Sequence, residues 1–221
     1  MHPPSGTPPA SAALALLTDE ELVQVAQRRR TTKEQEEAAR AFQMLYQRYG
    51  SMLLSYLTHQ ASNAESAQDL TQETFLKAWK GLPHLWGGEH VRAWLFQIAI
   101  NEAKLYWRRQ KLKEVLSLER LLAPLIGTPR EQEFPDNLSA PAFEEAVSEQ
   151  ECISQTLKQL PSRYRACLLL YDHYGFKQAE IARILQIEES TVSSNLYRAR
   201  ERFRQLYQQE PEDGQQGGPT R

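Results

Sequence analysis

Aromatic and cationic side chains alternate along one predicted helix of this chain, which has 221 residues. Bases of a single strand stack on aromatic rings while cations meet phosphates, and each stacked base contributes roughly 1–3 kcal/mol. This mixture is typical of a surface for unpaired nucleic acid. Trp94 is better assigned to the core, because its spacing with Ile98 and Leu105 is helical. The residues with the alternating chemistry are Trp94, Phe96, Asn101, Lys104, Tyr106, Trp107, Arg108, Arg109, Lys111 and Lys113.

A second predicted helix, at 189–207, has an apolar stripe and an opposite polar face. Short hydroxyl side chains near the helix start can approach base edges, and arginines further along can reach phosphates. An amphipathic helix with merely solvated arginines is the alternative. The short helix predicted at 177–185 and the tight turn at 186–188 favour a DNA-binding helix-turn-helix. The polar face contains Ser190, Ser194, Tyr197 and Glu201, flanked by Arg198 and Arg204.

A third stretch places fixed polar groups beside large apolar ones. Asp69, Gln72, Glu73 and Lys77 lie among Phe75, Leu76 and Trp79 on one predicted helix. Such a surface suits a protein partner with a basic, partly apolar helical face. From these residues alone, an ordinary amphipathic core helix is the better-supported alternative.

The residues that metal binding or catalysis would require are not clustered in this sequence. The five histidines are scattered, and Cys152 and Cys167 match no zinc-ligand spacing, so we expect no metal, no cofactor and no catalytic residue. Two cysteines suit a reducing compartment, and no apolar run approaches the roughly 20 residues that span a bilayer. We therefore expect a cytoplasmic protein with no membrane insertion. The net charge of −2 predicts a local rather than a global DNA-binding face.

The sequence pattern predicts an all-α protein, and the residues named above fall in two helical domains. Helices are predicted at about 19–26, 33–59, 63–80 and 90–112, and then at 143–159, 162–174, 177–185 and 189–207. Prolines and a glycine interrupt the pattern between the two groups, although 116–122 could form a short helix. The predicted organisation is a disordered tail at 1–17, a helical domain at 18–112, a flexible linker at 113–145, a helix-turn-helix domain at 146–208 and a disordered tail at 209–221.

The helix-turn-helix segment resembles region 4 of bacterial sigma factors of the sigma-70 family. It shares Leu160-Pro161 with that region, then Glu180-Ile181-Ala182, and then a run from Thr191 to Arg200. Glu188 departs from the usual small N-cap hydroxyl, and Ser193 and Asn195 stand where Lys or Arg is frequent. The resemblance implies promoter contacts that rest on hydrogen bonds more than on charge. The implied DNA-binding residues are Ser190, Thr191, Ser194, Asn195, Tyr197, Arg198, Arg200 and Arg204.

The first domain is similar to region 2 of the same family, and the pairing resembles the extracytoplasmic-function (ECF) type. The family docks this region on the clamp helices of the largest catalytic subunit of RNA polymerase, which implies contacts from Asp69, Gln72, Glu73, Phe75 and Trp79. The following stretch resembles the part that melts the promoter and traps a flipped base. That resemblance implies DNA contacts from Trp86, His90, Asn101, Lys104, Trp107, Arg108 and Arg109.

As a whole, the resemblance implies an ECF sigma factor that binds core RNA polymerase, including the flap of its second-largest subunit. It would recognise both promoter elements as duplex and single-stranded DNA and initiate transcription of a specific regulon. Anti-sigma factors are common partners in the family, and no residue here identifies one. Three alternatives are a regulator with a phosphoacceptor domain, a helical nuclease and an adaptor protein. The sequence shows none of the strands that a phosphoacceptor domain needs, and none of the clustered carboxylates or histidines that a nuclease needs. Only a transcription assay would distinguish an adaptor protein from a sigma factor.

Overall fold

The computed structural model describes residues 14–85, 90–122 and 149–209, with the backbone alone at 114–122, 150 and 209. Every regular element within these ranges is helical, which confirms the all-α prediction. The chain divides into two compact units, Met1–Ser117 and Leu118–Arg221. Each unit contains one of the two predicted groups of helices.

The first unit contains four α-helices whose starts are encoded locally. Thr18 and Glu21 form a reciprocal capping box at the first helix, and Thr31 and Glu34 form another at the second. The Asn63 side chain caps the third helix by accepting from the amide of Ser66. The helices are α1 (Asp19–Gln27), α2 (Thr32–Thr58), α3 (Ala64–Gly81) and α4 (Val91–Leu122), with a 3₁₀ turn at Leu82–His84. Helix α4 begins in the first unit and continues past its boundary at Ser117.

The core of the first unit lies between α1, α2, α3 and the first half of α4. The rings of Tyr56 and Phe96 meet edge to face at 5.4 Å, and both residues are at most 1% exposed. Phe96, which the sequence analysis places among the alternating aromatic residues, is therefore a core residue. Trp94, which the sequence analysis assigns to the core, is only half-buried. Its indole packs closely against Gly81, where an added Cβ would lie 3.2 Å from the ring.

A polar contact holds the start of α1 against α2. Arg48 on α2 donates to the Asp19 carboxylate at 2.7 Å, and the Tyr49 hydroxyl donates to the same carboxylate. Burial and this acceptor raise the pKa of Tyr49, so its hydroxyl remains a donor at all physiological pH values. These two hydrogen bonds hold the start of α1 against α2 and so fix the direction in which α1 runs towards its end at Gln27.

Helix α4 continues past the predicted end at Leu112 to Leu122. The predicted end of this helix is therefore wrong, and the helix includes residues 113–122 of the predicted linker. No Pro or Gly occurs between Leu112 and Leu122, so nothing in the covalent chain stops the helix there. The segment suggested as a separate short helix is the last part of α4.

The second unit contains α5 (Glu149–Gln159), α6 (Ser162–Leu168), α7 (Gln178–Leu185) and α8 (Glu189–Gln209). The predicted helical start at 143–148 lies outside the described residues. A π-helical turn at Leu169–His173 continues α6, and Gly175 follows it in the left-handed region with φ 68°. A glycine in this conformation is a common way for a helix to end.

Two helices of the second unit, α7 and α8, form the helix-turn-helix. Gln186 ends α7 with φ 59°, a left-handed conformation that is unusual for a residue with a side chain. Ile181 and Ile184 from α7 and Val192 from α8 are at most 2% exposed, so the two helices share one core. This packing leaves one side of α8 in solvent.

Candidate protein and nucleic-acid interfaces

Helix α3 presents an acidic and polar face that also contains a large apolar side chain. Asp69, Gln72 and Glu73 are all exposed, as predicted for contact residues. Leu76 follows Gln72 by one helical turn and is 53% exposed. The predicted contact set does not include Leu76, although its i+4 spacing from Gln72 is a signal that identifies it. We name Asp69, Gln72, Glu73 and Leu76 the α3 face.

Two further predicted contacts lie behind the α3 face rather than on it. Phe75 is 4% exposed and packs against the rings of Phe42 at 6.1 Å and Tyr46 at 4.7 Å. Trp79 is half-buried, contacts Phe42 at 5.0 Å, and has the Arg29 guanidinium 3.5 Å above its ring. Both residues support the exposed face through the aromatic cluster. Tyr46 is 47% exposed and extends that cluster to the surface.

Among the residues predicted to melt DNA, His90, Asn101, Arg108 and Arg109 are exposed. Their positions leave them accessible to a ligand. Trp86 lies outside the described residues. Lys104 is half-buried, and desolvation followed by the charge of Arg108 lowers the pKa of its ammonium group. A phosphate beside these two cations would oppose that lowering.

Trp107 is held by the fold. Its indole Nε1 donates to the carbonyl of Gln60 at 2.7 Å, and its ring meets Tyr106 edge to face at 5.3 Å. The Tyr106 hydroxyl in turn donates to Ser66 at 3.1 Å and shares a hydrogen bond with Ser62. These contacts tie the loop between α2 and α3 to α4. The Trp107 ring is therefore not a freely exposed stacking platform.

In the second unit, the start of α8 exposes the side chains expected of a recognition helix. Ser190, Thr191, Ser194 and Arg198 are exposed, and Tyr197 is 71% exposed. The Ser194 hydroxyl donates to the carbonyl of Ser190 at 3.1 Å, which leaves its oxygen able to accept. Within the described part of the chain, Arg198 has no ion-pair partner. We name these five residues the α8 face.

Asn195 does not share that face. It is 8% exposed and lies with Val192, Leu196 and Ala199 at the spacing of a buried stripe. Its side chain hydrogen-bonds the thiol of Cys167, whose pKa is raised to about 11 because burial outweighs that hydrogen bond. The predicted DNA contact of Asn195 is therefore at odds with its burial, and the heptad-like spacing could have identified this.

Two predicted DNA-binding arginines have carboxylate partners. Arg200 pairs with Asp172 at 2.6 Å and lies 5.3 Å from the ring centroid of Tyr171. The hydrogen bond to Asp172 raises the pKa of Arg200. Arg204 pairs with Glu201 within α8. All four side chains of these two pairs remain at least 43% exposed, so each arginine could exchange its carboxylate for a phosphate.

Within the described ranges, no group of three or more His, Cys, Asp or Glu residues could hold a metal ion. No described helix is both long and apolar enough to cross a bilayer.

The family models matched by the chain fall one in each unit. "Sigma-70 region 2" matches residues 45–113, and "Sigma-70, region 4" matches residues 150–203. The first match contains the α3 face and all seven predicted melting residues. The second contains the whole α8 face.

Several curated proteins are similar over most of their length. The chain is 32% identical to the ECF RNA polymerase sigma factor SigM of Bacillus subtilis, over 74% of this chain and 93% of that protein. It is 31% identical to the RNA polymerase sigma-H factor of Pseudomonas aeruginosa, over 73% and 83%. It is 30% identical to the ECF RNA polymerase sigma-E factor of Escherichia coli, over 73% and 84%.

Two solved structures share the fold at 22% sequence identity. CnrH, solved in complex with the cytosolic domain of CnrY, gives a TM-score of 0.58 over 87% of this chain and 99% of that one. The sigma factor RpoE of Bartonella quintana, solved with the anti-sigma factor NepR, gives 0.52 over 77% and 98%.

Proposed function

Because the chain belongs to the sigma-70 family and to its ECF group, we propose that it directs core RNA polymerase to specific promoters and helps to melt them. Members of this family are transcription initiation factors. In this proposal, the α3 face binds polymerase, α4 binds the unpaired strand, and the α8 face reads duplex DNA. The chain itself supplies no catalytic group and acts in the bacterial cytoplasm, where polymerase is found.

The observation that carries the proposal is the presence of two differently built surfaces on two units. The α3 face combines two carboxylates with an exposed leucine, which suits a basic and partly apolar protein surface. The α8 face combines hydroxyls, a tyrosine and an unpaired arginine, which suits base edges and phosphates. A regulator that binds DNA without polymerase needs only the second surface.

Mechanistically, the α8 face would bind the upstream element by groove contacts and phosphate contacts. Arg108 and Arg109 on α4 would meet phosphates of the separated strand, while Asn101 offers an amide to an unstacked base. Binding of the unpaired strand converts affinity into melting, since base pairing in the duplex keeps the bases from reaching this surface. A shared polymerase scaffold would raise the effective concentration of each contact.

The likeness to CnrH and RpoE supports a further partner class. Those proteins were solved with CnrY and the anti-sigma factor NepR, respectively. We include an anti-sigma factor among the proposed partners of this chain. Its binding would have to compete with polymerase for the α3 face or with DNA for the α8 face.

The experiment is run-off transcription with purified core polymerase on a genomic fragment library of the source bacterium, followed by sequencing of RNA starts. We expect discrete starts that require the added chain and share a two-block upstream motif. Arg198→Ala should weaken these starts about tenfold, since a phosphate or base contact is lost from the α8 face. Lys158→Ala removes an exposed charge on α5 and should leave them unchanged.

If no start depends on the added chain while the chain binds duplex DNA alone, the proposal fails. A regulator that acts without polymerase contact would then describe the protein. If Trp86→Ala leaves the transcription starts unchanged, Trp86 is not part of the proposed melting surface. The proposed role of the chain in initiation would still stand.

A further inference from the structure

Three consecutive arginines follow the end of helix α1, and none of them has a role in the proposed promoter or polymerase contacts. Arg28 and Arg30 are exposed, and Arg29 is half-buried. They line an open groove of about 660 Å³, together with Gln24, Gln27 and Glu34. We name this the arginine groove. Its lining contains three permanent cations and one carboxylate.

Arg29 is oriented by contacts that leave part of its guanidinium free. Its Nε donates to the carbonyl of Ala26 at 2.9 Å, and its plane lies 3.5 Å above the Trp79 ring. Its Nη2 is shielded from solvent and has no hydrogen-bond partner within the described residues. Desolvation lowers the pKa of this guanidinium, and the charge of an anion in the groove would oppose that lowering.

The one carboxylate in the lining is already committed. Glu34 accepts from the backbone amides of Arg30 at 2.8 Å and Thr31 at 3.0 Å. Those amides, led by that of Thr31, lower the pKa of Glu34, which keeps it ionised as an acceptor for the backbone. Glu34 offsets one of the three arginines and interacts with the charge of Arg30, so the described lining of the groove retains a net positive charge.

The position of the groove favours nucleic acid as its occupant. Gln27 donates to the carbonyls of Leu82 at 3.0 Å and Leu85 at 2.7 Å, which binds the end of α1 to the turn after α3. Leu85 directly precedes Trp86 in the chain, the residue proposed to meet an unstacked base. Because Gln27 also lines the groove, the groove borders the turn that leads to Trp86 in the sequence, and we infer that a strand bound by Trp86 is its occupant.

We propose that Arg28, Arg29 and Arg30 bind backbone phosphates of the unpaired promoter strand. This inference rests on the proposed function, because it needs a melted promoter. The planar guanidinium fork matches two phosphate oxygens, so arginine is better suited to this contact than lysine. The three proposed contacts are to phosphates, which carry no sequence information, so they should act on all promoters of the chain alike.

The test uses the full chain assembled with core polymerase and a promoter found by run-off sequencing. The template carries a mismatched bubble over the melting element, so the strand is already open. Dissociation constants are measured across a salt series for wild type, Arg28→Gln/Arg30→Gln, and the control Arg40→Gln/Lys158→Gln. All four substituted residues are exposed, so each variant loses the same charge without losing core packing.

We expect the Arg28→Gln/Arg30→Gln holoenzyme to bind the bubble about tenfold more weakly at low salt. Its log–log salt slope should become shallower by about 1.4, because each single-strand phosphate contact contributes about 0.7. The control variant should match wild type. Affinity of both variants for core polymerase, measured without DNA, should also match wild type.

Two results would overturn the inference while leaving the proposed function in place. One is an unchanged salt slope in a chain that still supports run-off transcription. The other is a loss of core-polymerase affinity in Arg28→Gln/Arg30→Gln, which would assign the groove to an acidic segment of polymerase. If wild type supports no run-off transcription, the proposed function fails and the inference falls with it.

Discussion

Asn195 and Tyr197 lie two residues apart on α8 and should respond to truncation in opposite ways. Asn195 is buried against Cys167, so Asn195→Ala removes a buried hydrogen bond and should cost about 1–3 kcal/mol of unfolding free energy. The DNA affinity of the folded variant should change little. Urea denaturation and binding to a run-off promoter, measured on the same preparation, give the two values.

Tyr197→Ala is the matched variant on the exposed side of α8. Because Tyr197 is 71% exposed, its loss should change the unfolding free energy by less than about 0.5 kcal/mol. Promoter affinity should fall, since a side chain of the α8 face is removed. If Asn195→Ala instead altered promoter preference at unchanged stability, our assignment of the two sides of α8 would be wrong.

The Cys167 thiol should be protected and should make stability depend on alkaline pH. Its pKa of about 11 in the folded protein exceeds the value near 8.5 of an exposed thiol. The unfolded chain therefore ionises first, and the stabilising contribution present below about pH 8.5 is lost as the pH rises towards 11. Iodoacetamide labelling of native protein at pH 8 should modify the half-exposed Cys152 well before Cys167.

Cys167→Ala supplies the control for the pH effect, because it removes the titrating group. The alkaline loss of stability that wild type shows should be smaller in this variant, whatever its own stability at neutral pH. Equal labelling rates of the two cysteines in the native protein would contradict the buried position of Cys167.

At the scale of elements, the turn between α7 and α8 stores backbone strain at one residue. Gln186 has φ 59°, and the left-handed region costs a residue with a Cβ about 1–2 kcal/mol. Glycine avoids that cost but loses more entropy on folding, so Gln186→Gly should stabilise the second unit by about 1 kcal/mol. Chemical denaturation followed by circular dichroism measures the difference.

Gln186→Ala is the matched control, because it truncates the same side chain but keeps the Cβ. We expect it to remain at or below wild-type stability. A stabilisation by alanine equal to that by glycine would point to the glutamine side chain, rather than to the backbone conformation, as the source of the cost.

Most helix starts could be predicted from sequence because their signals are local. The capping residues Thr18 and Asn63 lie at the helix starts, and Gly175 adopts the left-handed conformation expected of it. The end of α4 was harder, since the charged residues after Leu112 suggest a linker by composition while nothing there breaks a helix. The π-helical turn at Leu169–His173 has no recognisable sequence signal, because it depends on backbone packing around α6.

Exposed site residues were predictable where a face follows from helical spacing, as for Asp69, Gln72 and Glu73. Residues whose state depends on a distant partner were not. The acceptor of Trp107 is Gln60, 47 residues earlier, and Arg29, in the segment after α1, covers Trp79 on α3. Composition and periodicity describe one helix at a time, so they cannot distinguish a stacking ring from one held by a carbonyl across the fold.

At the scale of the whole molecule, the two interaction surfaces belong to separate compact units. A substitution on one surface should therefore leave the folding and local geometry of the other unchanged. A chain that binds polymerase and promoter through separate surfaces can lose one of these contacts and keep the other. A chain that uses one surface for both would lose both together. The separation can be tested by combining one charge change on each unit.

Glu73→Lys should weaken binding to core polymerase at least fivefold, since it reverses a charge on the α3 face opposite a basic partner. Arg198→Ala should weaken promoter binding by holoenzyme and leave core affinity unchanged. The matched control Glu37→Lys reverses an exposed charge on α2, at a residue that is not one of the α3 face. Fluorescence anisotropy measures core binding, and gel mobility of saturated holoenzyme measures promoter binding.

For transcription at limiting concentrations of chain and template, the two losses should multiply in the double variant. Their free energies add when sites are distant and share no partners. A double variant no worse than Glu73→Lys alone would mean that the α8 face contributes nothing once polymerase is bound. A far larger loss than the product would mean that the two contacts form one coupled unit on polymerase, because each then depends on the effective concentration supplied by the other.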